Sequence, residues 1–73
     1  MVRMTDEQFV AICNIISTED WKGWEFKFRE EILYCCIIAE YHKKQIHICL
    51  DLYGNETSRK AVLPDDDGYW RGY

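Results

Sequence analysis

The sequence predicts one α+β domain, an N-terminal amphipathic helix packed on a three- to four-stranded antiparallel β-sheet with meander connections. Three observations carry that expectation. A capped helical pattern opens the chain in MTDEQFVAICNIIS, two later segments alternate apolar and polar residues with a period of two, and 73 residues leave room for a single thin core.

The helix starts at Thr5. Gln8, three residues later, completes a capping box, Asp6 and Glu7 sit where the helix dipole favours negative charge, and Met4 is placed to staple onto Phe9. Phe9, Ile12, Cys13 and Ile16 recur at i, i+3, i+4 and i+7, which defines the face expected to be buried, and STED ends the pattern. In WEFKFRE, Trp24, Phe26 and Phe28 alternate with Glu25, Lys27 and Arg29, as in a half-buried strand beginning just after Gly23. QIHICLDLYGN repeats the pattern, with Ile46, Ile48, Leu50 and Leu52 on one face and His47, Cys49 and Asp51 on the other, before Gly54 and Asn55 turn the chain. Between these, ILYCCIIAEY is continuously apolar and rich in β-formers, as a central strand covered on both faces is. A second helix competes for residues 31–41, because Glu30 and Glu31 before it and Lys43 and Lys44 after it suit a helix dipole equally well. SRKAVL fits a short edge strand whose Arg59 and Lys60 discourage further pairing, and Pro64 ends it. The domain is expected to span 1–64, leaving 65–73 as an acidic and aromatic C-terminal tail.

Composition narrows the function classes. Hydrophobic residues at 48% and aromatics at 15% argue for a folded unit with apolar surface to spare, so a homodimer is a natural expectation. Nine Lys and Arg against thirteen Asp and Glu give a net charge of −4, the wrong sign for gripping a phosphate backbone, and direct nucleic-acid binding is not expected. No apolar run reaches the roughly 20 residues of a membrane span, and MVRMTDEQ has no apolar signal core, so a soluble, cytoplasmic protein is expected. In that setting Cys13, Cys35, Cys36 and Cys49 read as free thiols. His42 and His47 have the histidine spacing of a zinc knuckle, but no cysteine knuckle accompanies them, and no metal or other cofactor is expected.

Catalysis finds little support. His47, Cys49 and Asp51 share a strand face and are the nearest approach to a nucleophile, base and orienting carboxylate, yet such neighbours lie about 7 Å apart in backbone position. The glycines at 23, 54, 68 and 72 form no phosphate loop, and the protein is not expected to be an enzyme.

The aromatic residues are more informative. Trp21 and Trp24, three apart in partly extended chain, cannot both face the core, and Trp21 is expected to stay partly exposed as a lid over the sheet or as a binding anchor. In LPDDDGYWRGY, Asp65, Asp66 and Asp67 suit a solvated segment, whereas Tyr69, Trp70, Arg71 and Tyr73 are contact residues by type. They either fold back to thicken the core or dock on a partner whose surface is basic.

The leading expectation is therefore a non-enzymatic binding protein, an inhibitor or adaptor that occludes a basic surface on a partner such as a nucleic-acid-handling enzyme. Its contact residues would be Trp21, Asp65, Asp66, Asp67, Tyr69, Trp70, Arg71 and Tyr73, with Asp6 and Glu7 adding charge. In size and acidic character the chain is similar to the very small proteins that bacteriophages use to disable host defence enzymes. The alternative is an oligomeric protein that sequesters a small ligand or nucleotide, stacking a base on Trp21, Tyr69 or Trp70 while Arg59, Lys60 or Arg71 holds a phosphate.

Overall fold

A computed structural model describes residues 4–71, so Tyr73 lies outside the described residues. Helix α1 (Asp6–Thr18) is followed by strands β1 (Glu25–Glu30), β2 (Tyr34–Tyr41), β3 (Lys44–Asp51) and β4 (Glu56–Val62). The strands lie in the sheet in chain order, each antiparallel to the next. The architecture is the predicted helix on an antiparallel meander.

The capping box forms as the sequence requires. Thr5 Oγ1 accepts a hydrogen bond from the Gln8 amide at 3.1 Å, and Gln8 Oε1 accepts one from the Thr5 amide at 2.9 Å. The same two side chains moor the helix to the sheet. Thr5 Oγ1 donates to the Leu52 carbonyl at 2.9 Å and Gln8 Nε2 donates to the Asp51 carbonyl at 3.1 Å.

These bonds also set which helix face is buried. Gln8 and Ile12 are buried, Ala11, Ile15 and Ile16 are half-buried, and Phe9 and Cys13 are exposed, Phe9 at 58%. The buried stripe is thus rotated from the expected Phe9, Ile12, Cys13 and Ile16 by close to one residue's turn, about 100°. Gln8 takes the inward position because both ends of its amide are bonded, the oxygen by Thr5 and the nitrogen to Asp51, which offsets the cost of burying it. Met4 joins the core instead of stapling Phe9. Phe9→Ala is therefore expected to change the unfolding free energy by no more than about 0.5 kcal/mol, as a surface substitution does. Urea denaturation checks this, and a loss above about 2 kcal/mol would restore Phe9 to the core.

Within residues 31–41 the strand reading holds for 34–41, whereas Ile32 and Leu33 of the expected covered run lie exposed in the β1–β2 connection. Cys35 to Ala39 of β2 are all buried, Ile37, Ile38 and Ala39 completely, because β1 and β3 flank this strand while α1 covers one face and the C-terminal segment crosses the other. Ile12 packs with Cys35, Ile37, Ile48 and Leu50 on the helix side, and Trp21, Phe26 and Ile46 close the edge of that cluster. Strands β2 and β3 join through a two-residue turn in which His42 (φ 49°) and Lys43 (φ 61°) are both left-handed, the geometry that matches sheet twist. Neither is the Asn or Gly such turns prefer, and an aromatic stack supports them. The His42 ring meets Tyr41 edge-on at 4.1 Å, and Tyr41 stacks on Trp24 at 5.2 Å.

Edge strand β4 is exposed at every position but Val62, and its register slips against β3 between Cys49 and Leu50. Arg59 turns from it toward the end of α1, donating from Nη1 to both carboxylate oxygens of Glu19 at 2.8 and 2.9 Å and from Nη2 to Glu56 at 2.8 Å. Among the described residues no helix is long and apolar enough to cross a membrane.

Candidate functional site

Strand alternation divides the sheet side chains between two faces. Lys27, Ile38 and His47 stand in register on the face away from the helix, as do Glu40 and Gln45 beside them. That face is half polar, and the C-terminal segment lies against it.

Gln45 makes the attachment. Its side chain is completely buried, and its amide pairs with the backbone of Trp70 as a neighbouring strand would. Nε2 donates to the Trp70 carbonyl at 2.6 Å, and Oε1 accepts from the Trp70 amide at 2.9 Å. The remaining capacity of the amide is also used, because Nε2 donates to Glu40 Oε1 at 3.2 Å and Oε1 lies 2.7 Å from His47 Nε2. Since Gln45 offers an oxygen there, the neutral His47 ring carries its proton on Nε2. Around this joint, Tyr69 Oη donates to Glu40 Oε2 at 3.1 Å, Lys27 Nζ lies 5.7 Å from the centre of the Trp70 ring, and the Arg71 guanidinium stands 5.1 Å from that of Tyr69. Burial and then the bond to Glu40 push the Tyr69 hydroxyl pKa above its ordinary value.

Upstream of the joint the chain makes a compact turn. Asp66 Oδ2 accepts from the Leu63 amide at 2.9 Å, the Asp66 amide donates to the Leu63 carbonyl at 2.9 Å, and the Tyr69 amide donates to the Asp66 carbonyl at 3.1 Å. Arg71 Nη2 closes it from below by donating to the Pro64 carbonyl at 2.7 Å. Asp65, Asp66 and Asp67 are all exposed on this turn, whereas Tyr69 and Trp70 are half-buried.

The sequence-derived site residues separate into two groups. Asp65 to Asp67, Tyr69, Trp70 and Arg71 form one continuous surface. Trp21 stands on the other side of the sheet, half-buried against the core, with Nε1 donating to the Ile15 carbonyl at 3.1 Å and its ring edge-on to Trp24 at 5.2 Å and to Phe26 at 5.5 Å. Trp21 and Trp70 therefore share no stacking platform. Asp6 and Glu7 line an open cleft of about 400 Å³ with Val10, Asn14 and Tyr53, beside the β3–β4 turn. This cleft lies at the opposite end of β3 from Gln45, so the helix carboxylates and the aspartate turn make two acidic surfaces, not one. Gln45, Glu40 and Lys27 were not among the expected site residues. Their only sequence signal is polarity at outward strand positions, which any solvated sheet face shares.

His47, Cys49 and Asp51 do share a face, and each has its own partner. His47 bonds to Gln45, the Cys49 sulfur lies 2.8 Å from that of Cys36, and Asp51 accepts the amides of Tyr53 and Asn55 at 2.9 Å each. Among the described residues no three His, Cys, Asp or Glu side chains are placed to hold a metal ion.

Two of these groups make stability depend on pH. Burial, and then the charges of Lys60 and Arg29, lower the pKa of His47, while hydrogen bonds led by the Asn55 amide lower that of Asp51. Below about pH 6.5 the unfolded chain therefore binds a proton at residue 47 that the native protein resists, and stability falls as pH drops toward the native value. The Asp51 contribution is complete above the unfolded carboxylate value of about 3.9 and is lost as pH falls through the lower native one. Thermal melts between pH 8 and pH 3 should show two successive declines in Tm, and His47→Gln should remove the upper one. A profile flat from pH 7 to pH 5 would contradict the assignment to His47.

Fold and site together define a small acidic α+β protein whose C-terminal turn is latched to the sheet. No family model matches the chain, and neither does any curated protein or solved structure.

Proposed function

We propose that this protein is a non-enzymatic binding module that occludes a basic surface on a protein partner, as an inhibitor or adaptor, and that the aspartate turn is its contact surface. The observation that supports this reading is the bracing of residues 63–71. Asp65 and Asp67 project from a turn fixed at Leu63, Asp66, Tyr69 and Trp70, so little conformational freedom is lost when a partner engages them. Half-buried Tyr69 and Trp70 and exposed Arg71 border the carboxylates with the residue types that dominate interface hot spots. The matching partner presents clustered Lys or Arg, as the substrate groove of a nucleic-acid-handling enzyme does. A homodimer belongs to the same proposal, with exposed Phe28, Ile32 and Leu33 near the β1–β2 connection as the apolar surface a second copy would cover.

The test is the triple substitution of Asp65, Asp66 and Asp67 by asparagine. Asp66→Asn keeps a side-chain oxygen that can accept from the Leu63 amide, so the turn is retained while three charges are removed. Partner captured from the native host by the wild-type protein should associate with the variant about tenfold more slowly and with a flatter salt dependence. An unchanged association rate at low salt would reject the turn as the contact surface.

A further inference from the structure

Cys36 of β2 and Cys49 of β3 are direct cross-strand partners, and their sulfurs stand 2.8 Å apart, both as free thiols. Directly opposed residues of an antiparallel pair have backbones about 4.5 to 5.5 Å apart, within the range a disulfide spans without moving the strands. The two thiols differ in access. Cys36 is buried, 4% exposed, and its pKa is pushed up to about 12, first by burial and then by the hydrogen bond to Cys49. Cys49 is half-exposed, beside Ser58 of the solvent-facing strand β4. Across from Cys36 on the other side stands Arg29, whose Nη2 donates to Tyr34 Oη at 3.1 Å. Its buried Nε lies 3.4 Å from Glu31 Oε1, close enough for charge attraction but without the geometry of a hydrogen bond. A cation with an unused donor thus faces the less accessible sulfur, where it favours the thiolate form during exchange. The other two cysteines lack this arrangement, since Cys35 is buried on the helix side and Cys13 is exposed on α1.

We propose that Cys36 and Cys49 are a dithiol exchange site that takes a low-molecular-weight disulfide such as oxidised glutathione, with Cys49 as the entry thiol and Cys36 as the resolving one. The Cys49 thiolate attacks one sulfur of the small disulfide, forming a mixed disulfide and releasing the first small thiolate. Cys36 then gives up its proton and attacks the Cys49 sulfur, forming the Cys36–Cys49 bond and releasing the second. The protein loses two protons and two electrons, and the small disulfide takes them up to become two thiols.

The experiment uses the full chain with Cys13→Ser, which removes the exposed thiol on α1. Incubation with oxidised glutathione at pH 8, followed by intact-mass measurement and peptide mapping, should show a loss of two hydrogens, no retained glutathione and a Cys36–Cys49 cross-link that dithiothreitol reverses. Adding Cys36→Ser should leave one glutathione bound at Cys49, and adding Cys49→Ser in its place should leave the protein unmodified. Circular dichroism of each variant confirms that it is folded. A stable glutathione adduct on Cys49 while Cys36 is present, a cross-link through Cys35, or unchanged mass in the folded Cys13→Ser protein would each overturn the proposal.

Discussion

Replacing Gln45 by leucine is expected to lower the unfolding free energy by about 3 kcal/mol and to free residues 65–71 from the sheet. Leucine fills the space but makes none of the bonds. The amide and carbonyl of half-buried Trp70 and the Nε2 proton of buried His47 lose this partner together, and each buried group left unsatisfied costs about 1 to 3 kcal/mol. The full penalty does not accumulate, because the segment can lift away and let water in. What is then lost is the packing of Trp70 and Tyr69 against the sheet face at Lys27, Glu40 and residue 45. Faster hydrogen exchange at the Trp70 amide should report the release directly. Deleting residues 65–73 should lower Tm to a similar degree, and Gln45→Leu should cost little more in the truncated protein, since its two bonds to Trp70 are already gone and His47 and Glu40, once uncovered, can bond to water instead. If the two losses simply add, Gln45 is not the latch.

The second large effect is expected at Gly54, where alanine should cost about 3 to 4 kcal/mol. Gly54 has φ 82°, a left-handed conformation that costs a residue with a Cβ roughly 1 to 2 kcal/mol. An added Cβ would also stand 2.5 Å from the Glu7 carbonyl oxygen and 3.0 Å from its carbon, atoms of the helix backbone that cannot rotate away. Relief requires α1 to withdraw, which breaks the bonds from Thr5 to Leu52 and from Gln8 to Asp51. Gly68→Ala is the control, because nothing lies within 4 Å of its added carbon. Urea unfolding of the two variants should differ by about 3 kcal/mol, and equal stabilities would mean that the helix adjusts without losing its mooring.

The local features of this protein were legible in its sequence, and the features that join distant parts were not. Capping at Thr5 and Gln8, alternation in β1 and β3 and the turn at Gly54 each depend on neighbours a few residues apart. The stretch ILYCCIIAEY reads as a strand with a helix as its rival, because a continuous apolar run has no periodicity, and pairing with β1 and β3 decides it for Tyr34–Tyr41. The helix face was displaced for a related reason. Hydrophobicity favoured Phe9, but Gln8 is drawn inward by the Asp51 carbonyl, 43 residues along the chain. The candidate site shows the same limit. Asp65 to Trp70 stood out by composition, whereas the glutamine that holds them has no local signature, because a side-chain amide pairing with a distant backbone leaves no periodic trace.

Strand order has a kinetic consequence. Since spatial order equals chain order from β1 to β4, each pairing closes only the short loop between successive strands, and the entropy lost in closure grows slowly from a small starting value. The sheet can therefore assemble hairpin by hairpin, with rates toward the fast end for a mixed α/β topology. Two closures bridge much longer spans, that of α1 onto the β3–β4 turn and that of Trp70 onto Gln45. In a nascent sheet awaiting the second, Ile38 and the buried side chains of Gln45 and His47 beside it are bare, and that intermediate is the species most prone to stick to its own kind.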